Sequence, residues 1–199
     1  MAKLYFRYGA MNSGKTTLLM AVAHNYEERD MFVRVLKPIV DTKGNENIIS
    51  RLGVERKVDL LIKKEDTLKD YLKEISKQNV ACVLIDEAQF LNKEQVDELL
   101  LFTKKYDIPV ICYGLRSDFK TCLFPGSMRL FEVADVIEEL ITICRCGKRA
   151  KFNGRKVNDE FVVSGDQVAI DNTNDVTYEA LCGKCYMEKV LHINLKEED

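Results

Sequence analysis

The run Gly9-Ala10-Met11-Asn12-Ser13-Gly14-Lys15-Thr16 constrains this chain more than any other stretch of its sequence. It fits G-x-x-x-x-G-K-[ST] without a gap. It stands between an apolar segment, residues 4–8, and residues 15–29, where Leu18, Leu19, Val22 and Tyr26 recur at helical spacing. A strand that enters a glycine-bearing turn and leaves it as a helix points successive backbone N–H groups at one anion, aided by the positive end of the helix dipole. Gly9 and Gly14 let that turn close. Lys15 is then placed to bridge the β- and γ-phosphates of a nucleoside triphosphate, and the Thr16 hydroxyl to ligate Mg²⁺.

The sequence that follows fits a sheet of parallel strands. Short apolar runs alternate with amphipathic stretches up to about residue 143. Residues 32–37 predict a strand ended by Pro38, residues 41–53 a polar, mobile loop, and residues 68–77 a helix. Residues 80–85 form a run apolar enough for a strand covered on both faces. Residues 93–106 predict a helix, 108–113 a strand with Pro109 near its start, and 136–143 the last strand of the unit. Residues 1–143 are thus expected to form a P-loop nucleotide-binding α/β domain of RecA-like type, a parallel sheet flanked by helices. Residues 144–192 differ: Gly147, Gly154, Gly165 and Gly183 punctuate short apolar groups such as Phe161-Val162-Val163, too few for a comfortable core without a metal or disulfides. Residues 193–199 read as a solvated tail.

A second motif, Val83-Leu84-Ile85-Asp86-Glu87, puts two carboxylates at the carboxyl end of a buried strand, where open α/β sheets bind ligands. Asp86 would hold Mg²⁺, directly or through water, and Glu87 could take a proton from an attacking hydroxyl or water. Together the two motifs specify Mg²⁺-dependent phosphoryl chemistry. They leave open whether the acceptor is an alcohol, as in a kinase, or water, as in an ATPase.

Charge bears on that choice. Thirty Lys and Arg against 32 Asp and Glu give a formal charge of −2, without the basic excess of a dedicated nucleic-acid binder. No run approaches the ~18 apolar residues of a membrane span. The N-terminus carries neither the apolar stretch nor the cleavage site of a signal peptide, so a cytoplasmic protein is expected. In a reducing compartment the seven cysteines point to metal binding or burial rather than disulfides. Cys144-Arg145-Cys146 and Cys182-Gly183-Lys184-Cys185 offer four thiolates from two turns, the donor set of a closed, structural zinc site. Cys82 and Cys112 lie in predicted strands as small core residues.

In the order and wording of its motifs the chain resembles the cellular-type thymidine kinases over nearly its whole length. The resemblance rests on the phosphate loop, on Asp86-Glu87-Ala88-Gln89-Phe90, on Tyr113-Gly114-Leu115-Arg116-Ser117-Asp118-Phe119, on Leu123-Phe124-Pro125-Gly126-Ser127, and on the two cysteine pairs with Tyr178 just before the second. It implies transfer of the ATP γ-phosphate to the 5′-hydroxyl of thymidine, with Glu87 as catalytic base and Asp86 and Gln89 grouped with the phosphate loop at the nucleotide. It implies Asp41 near the sugar, Met11, Leu115, Phe119 and Phe124 around the thymine ring, and Phe90 and Tyr178 as aromatic neighbours of the base. Asn153 falls at a side-chain contact where other members carry different residues. The family also implies that thymine is held largely by main-chain groups of a loop from the zinc unit, a homotetramer, and feedback by thymidine triphosphate. The chain departs from the family pattern in its C-x-C pair and at residues 170–175, where many members have Ile-Gly-Gly. Two rival readings predict different behaviour: a RecA-like DNA-dependent ATPase, stimulated by single strands, and a zinc-ribbon binding module with an inactive nucleotide domain, without turnover.

Overall fold

In the computed structural model, residues 1–39, 46–50, 53–167 and 176–195 are described. The chain runs β1 (Leu4–Gly9), α1 (Lys15–Glu27), β2 (Phe32–Pro38), β3 (Asn47–Ile49), β4 (Glu55–Lys57), β5 (Leu60–Ile62), α2 (Lys69–Ile75) and β6 (Val80–Ile85). A 3₁₀ turn (Ala88–Phe90), α3 (Lys93–Tyr106), β7 (Val110–Leu115), α4 (Pro125–Val133) and β8 (Val136–Leu140) follow. The chain continues through β9 (Thr142–Ile143), β10 (Arg149–Ala150), β11 (Phe152–Val157), β12 (Glu160–Val162), β13 (Val176–Leu181) and α5 (Gly183–Lys189).

Six strands form one parallel sheet in the order β5-β2-β6-β7-β1-β8. Alternation along each strand sends side chains to opposite faces. Leu4, Phe6, Val83, Ile85, Val110 and Cys112 pack with Leu72, Val96, Leu99, Phe102 and Leu130 of α2, α3 and α4. Val33, Val35, Cys82, Leu84, Ile111 and Tyr113 pack with Leu19, Met20 and Ala23 of α1 on the other face. Such strands are apolar on both sides, which is why they read as unbroken hydrophobic runs. Helix α3 starts at a capping box: Asn92 accepts from Gln95 N–H, and the Gln95 side chain accepts from Asn92 N–H.

The structure differs from the sequence-based expectations in two places. Residues 136–143 are not one strand: β8 pairs with β1, whereas Thr142 and Ile143 pair antiparallel with Arg149 and Ala150. Within the polar segment 41–53, Asn47–Ile49 forms a hairpin with Glu55–Lys57 because Ile48 is buried against the α1 core; residues 41–45 and 51–52 lie outside the described residues. Helix α4, in a stretch where the sequence predicted no element, starts at Pro125, a residue that suits a first helical position.

The C-terminal unit holds a three-stranded antiparallel sheet, β12-β11-β13, the short β9-β10 pair and α5. Its core gathers Cys144, Ala150, Ala180, Leu181, Cys182, Cys185, Tyr186 and Val190, and includes Ala10 of the phosphate loop. The Phe152 ring stacks on Tyr186 with centroids 5.1 Å apart. Among the described residues no helix is long and apolar enough to cross a membrane.

Candidate active site

Gly9 ends β1 and Lys15 begins α1, so the loop between them lies at the carboxyl edge of the sheet. Gly9 is required by close approach: an added methyl group would sit 2.4 Å from Ser13 Oγ and 2.7 Å from Leu140 O. Asn12 and Gly14 adopt left-handed backbone, with φ of 67° and 76°. Asn tolerates that region at modest cost and Gly at none. Ser13 N–H donates to Ala10 O at 3.3 Å, and Lys15 Nζ donates to Ala10 O at 3.0 Å and approaches Ser13 Oγ at 3.4 Å. The Thr16 hydroxyl donates to Asp86 Oδ2 at 3.1 Å. Thr16 and Asp86 are thereby brought together as a hydroxyl–carboxylate pair that fits a shared Mg²⁺.

Asp86 is buried at the end of β6, and burial together with the neighbouring Glu87 pushes its carboxyl up to about 6, while the Thr16 hydroxyl and Glu87 N–H pull the other way. Glu87 is half-buried and held at φ 52°, a left-handed conformation that costs a non-glycine residue roughly 1–2 kcal/mol. Its carboxylate accepts from Gln89 Nε2, and its N–H donates to Asp86 Oδ1 at 3.1 Å. Gln89 is fully buried, and its Oε1 accepts from Leu115 N–H at 3.0 Å. The carbonyl of Leu115 accepts in turn from the buried Ser127 hydroxyl of α4. The Gln89 side chain thus ties Glu87 to the end of β7.

A cleft of about 680 Å³ opens over these residues, lined by Met11, Gly14, Lys15, Thr16, Glu87 and Leu115 among others. Ile49 of the hairpin and Ala21 of α1 also line it, and neither carries a polar group or motif that marks it in the sequence. Phe119 and Phe124 are buried; the Phe124 ring meets Phe90 edge-on at 5.4 Å, and the Arg155 guanidinium lies 5.1 Å from the Phe119 ring centre. Tyr178 is half-buried on β13, in register with Arg155 of β11. Asn153 is buried; its Oδ1 accepts from Met11 N–H and its Nδ2 donates to Ser117 O. Asp41 lies outside the described residues, as do residues 170–175.

The sulfurs of Cys144, Cys146, Cys182 and Cys185 all lie within 4.8 Å of one another, and those of Cys146 and Cys182 are 3.5 Å apart. A tetrahedral ZnS₄ site with bonds of about 2.3 Å has sulfurs about 3.8 Å apart, so the four residues fit that ion. Gly147, at φ 85°, closes the first turn by donating to Cys144 O at 2.8 Å, and Cys182 caps α5. Cys82, by contrast, is buried in the sheet, where burial pushes its thiol up to about 12, and Cys112 is fully enclosed on the sheet's other face.

The thymidine kinase family profile matches residues 2–186. The thymidine kinase of Pasteurella multocida is 42% identical over 191 residues, covering 96% of this chain and 99% of its own length. That of Enterobacteria phage T4 is 40% identical over 190 residues, covering 94% and 97%. That of Haemophilus influenzae (strain 86-028NP) is 45% identical over 193 residues, covering 95% and 98%.

Proposed function

This chain belongs to the thymidine kinase family, and we propose that it transfers the γ-phosphate of ATP to the 5′-hydroxyl of thymidine, giving thymidine monophosphate. The observation that carries the reading beyond membership is that Lys15, Thr16, Glu87 and Leu115 line one cleft, so a phosphate site and a proton acceptor share a single space. The loop Gly9–Thr16 and Lys15 hold the phosphates. Thr16 and Asp86 would hold Mg²⁺, which would supply positive charge beside the phosphates. Glu87 takes the proton of the 5′-hydroxyl as its oxygen attacks the γ-phosphorus and the bond to the β-phosphate oxygen breaks. Positioning and charge neutralisation then carry most of the catalysis.

Met11, Leu115, Phe119 and Phe124 surround the thymine ring, Phe90 and Tyr178 flank it, and Asp41 acts near the sugar. Cys144, Cys146, Cys182 and Cys185 hold a structural zinc that fixes the C-terminal unit. Residues 1–143 form the nucleotide-binding domain and residues 144–192 the zinc-binding domain that covers the nucleoside, followed by a solvated tail. The enzyme works in the cytoplasm as a homotetramer under feedback by thymidine triphosphate. Glu87→Gln keeps ADP binding and lowers turnover of thymidine by about 10²–10⁴-fold; normal turnover by that variant would remove Glu87 from the role of base. An activity panel of ATP with each nucleoside tests the substrate: turnover of thymidine is expected, and no nucleoside turnover would refute the reading.

A further inference from the structure

Three contacts fasten the phosphate loop to the C-terminal unit. Ala10 is buried in the core built around Cys144, Cys182, Cys185 and Tyr186. The Thr142 hydroxyl, at the start of β9, donates to Asn12 O at 3.3 Å. Asn153, on β11, accepts from Met11 N–H at 2.8 Å and donates through Nδ2 to Ser117 O at 3.0 Å.

The Asn153 contact differs in kind from the other two. The residue is 3% exposed, and the two ends of its amide are committed to main-chain groups from separate segments, the phosphate loop and the loop after β7. An amide used in this way is a bracket, because neither segment can move without leaving a buried polar group unpaired. The loop needs such support. It carries left-handed backbone at Asn12 and Gly14, and its own turn bond, from Ser13 N–H to Ala10 O, is long at 3.3 Å. Its shape is therefore completed from outside, by the unit that follows β8.

We infer that Asn153 is a positioning residue for the phosphate donor: it holds Met11, and through Met11 the loop's N–H groups, in the conformation that receives phosphate. It acts on the nucleotide through the main chain rather than by reading the nucleobase. The inference rests on the assignment of Gly9–Thr16 to ATP made above.

The test replaces Asn153 with Leu, which has similar volume and no polar atom, in the full-length, metal-loaded protein. Dissociation constants for ADP with Mg²⁺ and for thymidine are measured separately by calorimetry, beside the thermal midpoint. ADP binding should weaken about tenfold, the scale expected when a buried hydrogen bond is lost, with thymidine binding changed less than threefold. ADP weakening below threefold would overturn the inference. So would a larger loss for thymidine than for ADP, which would make Asn153 a direct contact of the nucleobase. A purely structural role would lower the midpoint and leave the ADP affinity of the folded protein alone, and that too counts against it. Should the Leu variant not fold, Asn153→Ala is judged by the same thresholds. A wild-type protein that binds ADP but does not phosphorylate thymidine refutes the kinase reading while the ADP comparison still decides this one; a wild type that does not bind ADP refutes both.

Discussion

Gly126 offers a sharp test of how the turn after Glu87 is held. A methyl group added there would sit 2.4 Å from Ala88 O, 2.8 Å from Leu91 O and 2.9 Å from Gln89 O. Ordinary contact begins at 3.4 Å, so the methyl group and the turn must separate by about 1 Å. All three obstacles are main-chain oxygens of the turn that follows Glu87, and none can rotate aside. If α4 yields, Ser127 is drawn off Leu115 O; if the turn yields, Gln89 and Glu87 move with it. Gly126→Ala should therefore cost about 1–3 kcal/mol in stability, or about 2–12 °C in thermal midpoint for a chain of this size. A displacement of about 1 Å at the base should lower kcat by about 10²-fold. The assay is thymidine phosphorylation at saturating ATP, read beside thermal unfolding. Gly183→Ala serves as control, because its methyl group meets Phe152 at an ordinary 3.5 Å. A Gly126→Ala protein with wild-type kcat and midpoint would show that the packing of α4 on the turn does not hold Glu87 in place.

Three further outcomes follow from other contacts. Tyr186→Phe removes the hydroxyl that donates to Phe119 O at 2.7 Å and leaves a buried carbonyl unpaired, which should cost about 1–2 kcal/mol in urea unfolding; an unchanged urea midpoint would argue against the contact. At Asp135 burial pushes the carboxyl up, but Lys104 and the Leu4 N–H outweigh it and hold it below the usual range. A carboxyl lowered on folding stabilises above its unfolded value of about 3.9 and loses that contribution as pH falls through the folded value. Asp135→Asn should thus be less stable than wild type at pH 7, with the gap closing in acid; a gap independent of pH would refute the assignment. Protein prepared without chelator should carry one zinc per chain, and Cys185→Ser should lose both the metal and several degrees of thermal midpoint; a metal-free wild type with the same midpoint would refute a structural zinc.

The strands and helices of the sheet were legible because their burial is one-dimensional. Val80–Ile85 is covered on both faces and reads as an apolar run; Lys93–Tyr106 is covered on one side and reads as a helical stripe. The acidic pair Asp86-Glu87 was legible for the same reason, since two carboxylates after a buried strand stand out from its apolar run. What escaped was set by partners distant in the chain. Ile141 separates two strands only because β8 pairs with β1 and β9 with β10. Gly126 opens a helix because its bare backbone meets the turn at Ala88. Gln89 and Asn153 carry no periodic signal, and their hydrogen bonds are visible only once the segments around Leu115 and Met11 are in place. The four cysteines were found by spacing, yet their proximity depends on two turns that pairing alone does not specify.

The bond between Asn153 and Met11 spans 142 positions, and it has a consequence for how the protein comes into being. During synthesis the phosphate loop leaves the ribosome well before the residues that clasp it, Thr142, Asn153 and the cluster around Tyr186. The parallel sheet can collapse earlier around β1, β6 and β7, but closing so distant a contact must wait until β11 has emerged. A nascent chain should therefore hold a formed sheet and an unfinished nucleotide site, and gain affinity for ATP only as the unit built from β9 to α5 docks. The loop is made long before its clasp, and works only after it.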